Sequence, residues 1–254
     1  QWRLANLNPP SLKAIIPWEG RADQYRDQAC HGGIFSMGFL GNWINQHMAR
    51  HLLGRTRKYN PDSFSPDMLW QYLSHDLDSE WWRMCSARWD QIKVPVYTVG
   101  NWGGWGLHLR GNTEAYLCAV SKHKKLRIHT GDHFRPFHSN EGKLDQLRFF
   151  DYWLKGMQNG IMDEPPVKVY MMAGARKGAV SPKNRWMYFG DWPPSPRLQN
   201  FFLHENGVLS TRAPAEASAE ERGGHLHLLH GDAEHFSRDL LRRCRGRHGH
   251  RSRR

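Results

Sequence analysis

Several histidines lie close to a predicted strand end, a place where acid–base chemistry occurs in α/β proteins. Leu126–Thr130 is a short strand candidate, and Gly131-Asp132-His133 follows it directly. Ligands and catalytic groups in open α/β sheets gather outside the carboxyl ends of the strands. We therefore predict that His133 acts as a general base, with His129 and His138 as weaker candidates. An ordinary loop histidine at position 133 is the alternative.

The same histidines raise the question of a metal site. The spacing of His129, His133 and His138 fits no zinc signature. The cysteines are widely spaced and form no Cys-x-x-Cys pair; they are Cys30, Cys85, Cys118 and Cys244. We therefore predict no metal and no other cofactor. Four separate thiols in a chain of this length also favour reduced cysteines and a cytoplasmic location.

The segments around His133 alternate between strand and helix patterns. Val94–Val99 is a β-branched run typical of a buried parallel strand, and a glycine-rich turn follows at residues 100–106. Leu12–Pro17 is another short apolar strand candidate. A helix ending at Gly156 is predicted from apolar residues spaced three to four apart, which would form one face: Leu144, Leu147, Phe150 and Leu154.

Four motifs carry a resemblance to a known family. They are Gly100–Gly104 with Leu107–Asn112, the Gly131-Asp132-His133 strand end, Phe149–Gly156, and Glu164-Pro165-Pro166-Val167. Together they resemble the cocaine-esterase and X-prolyl dipeptidyl-peptidase family over most of the chain before residue 210. That family comprises serine enzymes of the α/β-hydrolase fold with a helical cap and a C-terminal β-sandwich. The resemblance implies that His133 is the catalytic histidine.

The resemblance also implies the domain organisation. The fold class is α/β: a partial α/β-hydrolase domain at residues 1–31 and 90–160, with a helical cap insertion at 32–89. A partial all-β jelly roll is predicted at 161–212, where short alternating segments begin at Val167. Residues 213–254 lack apolar periodicity, so we predict a disordered basic tail and hypothesise that it is read out of frame.

Acyl transfer by a serine needs a nucleophile, a base, an acid that orients the base, and oxyanion donors. The resemblance places the nucleophile on a sharp turn before Gln1, so we expect the nucleophile and its donors to be missing. The family's acid commonly follows the strand that ends near Asn101, but neither Asn101 nor Gly103 carries a carboxylate. Asp132 adjoins His133, yet neighbouring loop side chains rarely face each other. The acid stays unassigned.

The charge distribution limits the range of partners. The net charge is +12, but residues 236–254 hold eight Arg and one Asp, so most of the positive charge lies in the tail. We therefore do not expect nucleic-acid binding, which would depend on that tail and on salt. The sequence contains no run of about 18 apolar residues, so no membrane span is predicted. The oligomeric state does not follow from the sequence.

The predicted function is that of a serine hydrolase of the X-prolyl dipeptidyl-peptidase or cocaine-esterase type. The substrate would be a small-molecule ester or amide, or a short X-Pro peptide, cleaved through an acyl-enzyme. Without a nucleophile elbow we expect this chain to be inactive alone. The alternative is a non-catalytic truncated homologue, either a binding module or a gene fragment.

Overall fold

The computed structural model describes residues 1–44, 68–104, 106–174, 176, 179–194, 199–204 and 207–213. The chain divides into two compact units, Gln1–Trp192 and Pro193–Arg254. The middle of the predicted cap, residues 45–67, and residues 214–254 of the predicted tail lie outside the described residues. The structure therefore leaves the disordered tail as a prediction.

Short elements precede the central sheet of the first unit. Helix α1 (Trp2–Asn6) comes first, and a π-helical turn (Tyr25–Ala29) leads into strands β1 (Cys30–His31) and β2 (Ile34–Phe35), which pair antiparallel. In the predicted cap region the described helices are α2 (Met37–Trp43), α3 (Met68–Leu73) and α4 (Glu80–Cys85).

The described cap aromatics pack on one another. Trp82 is almost fully buried, and its ring lies 4.9 Å from that of Tyr72 and 5.5 Å from that of Tyr25. Leu40 of α2 belongs to the same apolar cluster. These aromatic side chains therefore form a local core, the usual role of buried aromatic residues.

A mixed four-stranded sheet forms the centre of the first unit. Its order is β3 (Val96–Asn101), β4 (Lys124–His129), β5 (Val167–Met171) and β6 (Arg185–Phe189). β3, β4 and β5 run parallel, and β6 is antiparallel to β5. Parallel bridges from Ile15 to Val96 and from Trp18 to Val99 place the predicted strand near Leu12–Pro17 beside β3.

Helices cover both faces of this sheet. Helix α5 (Leu109–Cys118) lies on one face, where Tyr116 packs with Leu126 and Ile128 of β4. Helix α7 (Asn140–Lys155) lies on the other, where Phe149 packs with Tyr97 and Val99 of β3. Because both faces are covered, β3 is buried along its whole length, as expected for a strand in a parallel sheet. The four-residue helix α6 (Arg135–His138) precedes α7.

Helix α7 has the predicted end but a different buried face. Gly156 adopts a left-handed conformation with φ of 70° and ends the helix, which confirms the prediction. Leu144, Leu147 and Leu154 are more than half exposed, however, so the predicted apolar face was wrong for these three residues. The buried side instead carries Asp145 and Phe149, because Asp145 pairs with the buried Arg127 of β4.

The strands after Val167 lie in a different sheet from the one expected. We predicted that they begin a separate β-sandwich, whereas β5 and β6 extend the central sheet, since Val167 and Val169 are buried beside β4. In the second unit, strands β7 (Phe202–His204) and β8 (Val208–Ser210) pair as a hairpin. The described strands do not build a jelly roll, which stays a prediction. Within the described residues, every helix is too short or too polar to cross a membrane.

Candidate active site

The candidate site lies at the carboxyl ends of three parallel segments. Glu19 follows directly after Trp18, which is bridged to β3. Asn101 ends β3 and His129 ends β4, and the two residues are paired in register. His133 lies four residues beyond His129, after the turn at Gly131, whose φ is 102°. The sheet therefore gathers Glu19, Asn101, His129 and His133 at one edge, as parallel topology requires.

Glu19 is the central group of this cluster. Its side chain is only 5% exposed, and three histidines surround its carboxylate. His133 Nδ1 forms a short hydrogen bond with Oε2, and His108 Nδ1 lies 3.6 Å from the same oxygen. His129 Nε2 lies 3.1 Å from Oε1. A single buried carboxylate thus lies against three imidazoles from two segments of the chain, one before α5 and one at the end of β4.

The backbone of Glu19 is also unusual. Its φ is 48°, in the left-handed region that non-glycine residues seldom occupy. The N–H of Glu19 donates to the carbonyl of Val99 at 2.7 Å, which ties this residue to β3. Backbone conformations of this kind cluster at functional sites, where the surrounding structure holds them in place. The conformation therefore supports a functional position for Glu19.

Burial and the neighbouring imidazoles act in opposite directions on Glu19. Burial alone would raise the pKa of this carboxyl, because a charge loses its hydration. Interactions with His108, His129 and His133 outweigh burial and hold the pKa of Glu19 well below its usual value of 4.5. Glu19 is therefore ionised at neutral pH. An ionised carboxylate only accepts hydrogen bonds, so the Nδ1–H of His133 is the donor.

His133 is placed as a general base requires. One ring nitrogen, Nδ1, is engaged by the buried carboxylate. The side chain is nevertheless 49% exposed, so the ring is accessible to a substrate or a nucleophile. In the Ser-His-acid arrangement, Nδ1 faces the acid and Nε2 takes the proton. The geometry of His133 can perform that chemistry, and its role as the base stays a prediction.

Asn101 supports the carboxylate and the histidine loop together. Its Nδ2 donates to Glu19 Oε1 at 3.3 Å and to the Gly131 carbonyl at 3.0 Å. Its Oδ1 accepts the N–H of Gly103 at 2.9 Å. The amide is therefore engaged with the loops around the site, and its oxygen is not directed at His133.

The remaining predicted residues lie apart from this arrangement or have other partners. Asp132 accepts the N–H groups of Phe134 and Arg135, and it pairs with the Arg135 side chain. The hydrogen bond from the Arg135 N–H is the main reason why the pKa of Asp132 is lowered. The ring of His138 packs on Phe137. His129 does lie in the cluster, but it is almost fully buried.

The residues that could hold a metal differ from the predicted trio. Within the described part of the chain, ligand atoms of Glu19, His108 and His133 lie within 4.8 Å of one another. Two imidazoles and one carboxylate form a donor set suited to zinc. A metal here would have to displace the hydrogen bond between His133 and Glu19, because both use the same atoms. The prediction of no metal is left untested.

A cavity of about 560 Å³ lies beside the loop that precedes His108. Its lining includes Tyr25, Cys30, Leu107 and Arg110. Arg110 Nη1 donates to Asp27 Oδ1 at 2.7 Å, so its charge is partly neutralised within the wall. The lining also includes the charged side chains of Arg26 and Asp27 and the imidazole of His31, so the cavity is mixed in polarity.

Glu19 and His108 were missed as site residues when only the sequence was considered. Both were visible in it: Trp18-Glu19-Gly20 follows a predicted strand, just as Gly131-Asp132-His133 does, and His108 lies within a family motif. A search for carboxylates at every predicted strand end would have found Glu19. Only the three-dimensional arrangement shows that the strand before β3 brings its carboxylate to His133.

Comparisons with known proteins find a family model and several relatives that match this chain. The family model for X-Pro dipeptidyl-peptidase (S15 family) matches residues 1–135. A Mycobacterium bovis protein that carries the name of a serine esterase is 34% identical over 242 residues, covering 85% of this chain and 37% of that protein. A Bacillus cereus protein with the name of an Xaa-Pro dipeptidyl-peptidase is 25% identical over 174 residues, covering 65% of this chain and 29% of that protein.

A solved structure is also similar to this chain. The CocE/NonD family hydrolase from Staphylococcus aureus superposes with a TM-score of 0.70 at 31% sequence identity. The match covers 84% of this chain and 36% of the staphylococcal chain. The chain thus spans between about a quarter and two fifths of the length of these relatives.

Proposed function

Since this chain belongs to the X-Pro dipeptidyl-peptidase (S15) family, we propose that it supplies the general base of a serine acyl hydrolase. His133 is that base. The observation that carries the proposal is the position of His133 at a parallel strand end, with Nδ1 bonded to a buried carboxylate and the ring half exposed. The names of the relatives support an ester, an amide or an X-Pro peptide as the substrate.

The reaction follows from the chemistry of the imidazole. The serine hydroxyl gives its proton to Nε2 of His133 as its oxygen bonds to the substrate carbonyl carbon. The imidazolium then returns the proton to the leaving alcohol or amine as the carbon–oxygen or carbon–nitrogen bond breaks. Water repeats the sequence on the acyl-enzyme and releases the acid. We propose that the nucleophile is not among the residues of this chain, so the isolated chain should have no activity.

The proposal can be tested in a chimera of the staphylococcal hydrolase. This chain replaces the matching segment, and the remainder of that enzyme supplies the rest of the fold. We expect labelling by a fluorophosphonate and hydrolysis of a p-nitrophenyl ester or an Xaa-Pro p-nitroanilide. His133→Ala should lower kcat by about 10⁴-fold or more, as removal of a triad histidine does. The isolated chain should not be labelled.

A matched control is available at the other end of β4. His123 lies before β4, at the opposite edge of the sheet, and its ring packs on Trp153. His123→Ala should leave hydrolysis within about threefold of the parent chimera, well below the loss from removing a triad residue. Hydrolysis that survived His133→Ala to within tenfold would contradict the role of His133.

A labelled and active chimera is needed for the hydrolase proposal. A chimera that folds but is not labelled would favour the binding-module alternative.

A further inference from the structure

We infer that Glu19 is the positioning acid that orients His133. This inference rests on the proposed hydrolase function and deepens it. The carboxylate reaches the histidine from the segment that precedes β3, whereas the resemblance led us to expect an acid in the turn that follows β3. Glu19 acts through His133 and does not itself contact the reacting atoms.

The turn after β3 contains no competing carboxylate. Residues 100–104 are Gly, Asn, Trp, Gly and Gly. Gly103, the position nearest the expected acid, donates its N–H to Asn101, and a Cβ there would lie 3.4 Å from both Asn101 Oδ1 and the Gly131 carbonyl. A side chain at position 103 would thus point toward the histidine loop. The carboxylate of Glu19 lies beside the same turn, 3.7 Å from a Cβ built on the neighbouring Gly104.

The other nearby acid has a different role. Asp132 is half exposed, and its oxygens are occupied by the N–H groups that open α6 and by Arg135. Glu19 is buried, and one of its oxygens contacts His133 Nδ1 directly. Of the two carboxylates, Glu19 alone has both the contact and the burial that fix an imidazole.

The surroundings of Glu19 hold the carboxylate charged and in place. Asn101 donates to Oε1, while His108 and His129 lie within 3.6 Å of its oxygens. The backbone N–H is bonded to Val99 and fixes the residue in its left-handed conformation. A charged acceptor at Nδ1 requires the proton of a neutral His133 to stay on that nitrogen. Nε2 then has a free lone pair, which is the state in which it can take a proton from a serine.

The tautomer of His133 tests this inference directly in the full chain, without any nucleophile. Histidine side chains are labelled with ¹⁵N, long-range ¹H–¹⁵N spectra are recorded from about pH 7 to 9 so that the neutral imidazole is observed, and His133 is assigned from the spectrum of His133→Ala. We expect the wild-type resonances of a protonated Nδ1 and an unprotonated Nε2. Wild-type resonances of the Nε2–H tautomer would overturn the inference without any substitution at position 19.

Two substitutions at position 19 sharpen the test. In Glu19→Gln the amide can donate to Nδ1, so His133 should change to the Nε2–H tautomer, the wrong one for catalysis. Glu19→Asp keeps the charge and should retain the Nδ1–H tautomer at least in part. Glu80→Gln is the control, because Glu80 lies on the surface of α4, where its carboxylate pairs with the exposed Arg83. An unchanged His133 spectrum in folded Glu19→Gln would contradict the inference.

A metal is the competing explanation of the cluster. Inductively coupled plasma mass spectrometry of the purified chain should find less than 0.1 equivalent of zinc. Zinc at one equivalent that is lost in Glu19→Gln would assign Glu19 and His133 as ligands and overturn the positioning role.

The chimera separates failure of this inference from failure of the proposed function. Glu19→Gln should lower kcat by about 10³–10⁴-fold with little change in KM, as loss of the orienting acid does in other serine hydrolases. Glu19→Asp should have a kcat between those of Glu19→Gln and the parent chimera. If hydrolysis requires His133 but Glu19→Gln stays within twofold, the inference fails and the hydrolase stands. If the folded chimera is inactive while His133 keeps the expected tautomer, the hydrolase proposal fails and the contact between Glu19 and His133 stands.

Discussion

Glu19 shows how a buried charge can be retained in a protein interior. Removing a carboxylate from water is costly unless donors replace the lost hydration. Here Asn101 and three imidazoles surround the two oxygens, and the three imidazoles hold the pKa of Glu19 below its usual value although burial alone would raise it. The same contacts that stabilise the charge fix the position of His133. The proposed function and the stability of the fold would therefore depend on one group at this site.

The lowered pKa predicts a specific pH dependence of stability. A carboxyl whose pKa is lower in the folded state than in the unfolded chain stabilises the fold above its unfolded pKa of about 4.5. That contribution is lost as the pH falls below this value toward the folded pKa. We expect wild type to exceed Glu19→Gln by about 1–3 kcal/mol in unfolding free energy between pH 5 and 7, a typical value for a hydrogen bond to a charged group.

Urea unfolding at a series of pH values measures this difference. The gap between wild type and Glu19→Gln should shrink steadily below about pH 4.5. Glu80→Gln, on the exposed side of α4, should show no such gap. A gap that is constant from pH 3 to 7 would mean that Glu19 is not held as a low-pKa carboxylate.

At the scale of elements, one buried ion pair fixes α7 against the sheet. Arg127 of β4 is 2% exposed and pairs with Asp145 of α7. The Tyr97 hydroxyl donates to the same carboxylate at 3.2 Å, and the guanidinium lies over the rings of Trp18 and Trp186. The loop that carries His133 leads through α6 into α7. The Arg127–Asp145 pair therefore also holds the end of that loop against the sheet.

Asp145→Ala should therefore be strongly destabilising. Without the Asp145 carboxylate, the Arg127 charge stays buried but loses its main ion-pair partner. We therefore expect a loss of about 3–5 kcal/mol in unfolding free energy. Chemical denaturation measures this loss. Asp151→Ala is the matched control on the same helix: it removes the i,i+4 pair with the exposed Lys155 and should cost less than about 1 kcal/mol. Equal losses in the two variants would show that the Arg127–Asp145 pair has no special role.

At the scale of the whole molecule, the candidate site lies entirely in one of the two compact units. Gln1–Trp192 contains the four-stranded sheet, the helices on both of its faces, and all members of the Glu19 cluster. The hairpin of β7 and β8 belongs to the second unit. The position of the Glu19 cluster therefore depends on packing within the first unit.

This division predicts the effect of a truncation. A chain of residues 1–192 should melt cooperatively within about 4 °C of the full chain, because a change of 1 kcal/mol moves Tm by about 2–4 °C at this size. Thermal unfolding followed by circular dichroism measures it. The ¹⁵N spectrum of His133 should also be unchanged. A non-cooperative melt of residues 1–192 would show that the first unit needs the remainder of the chain.

The sequence by itself determined the family, the central strands, the helix that ends at Gly156, and His133 as the candidate base. These features could be predicted because each depends on residues that are neighbours in the sequence: β-branched runs for the strands, a glycine for the helix end, and the Gly131-Asp132-His133 motif for the histidine. The tertiary structure decided which strands share a sheet, which face of α7 is buried, and which acid meets His133. Glu19 and His133 are 114 residues apart in the chain. Their contact depends on the order of parallel strands around β3, and no local pattern in the sequence specifies that order.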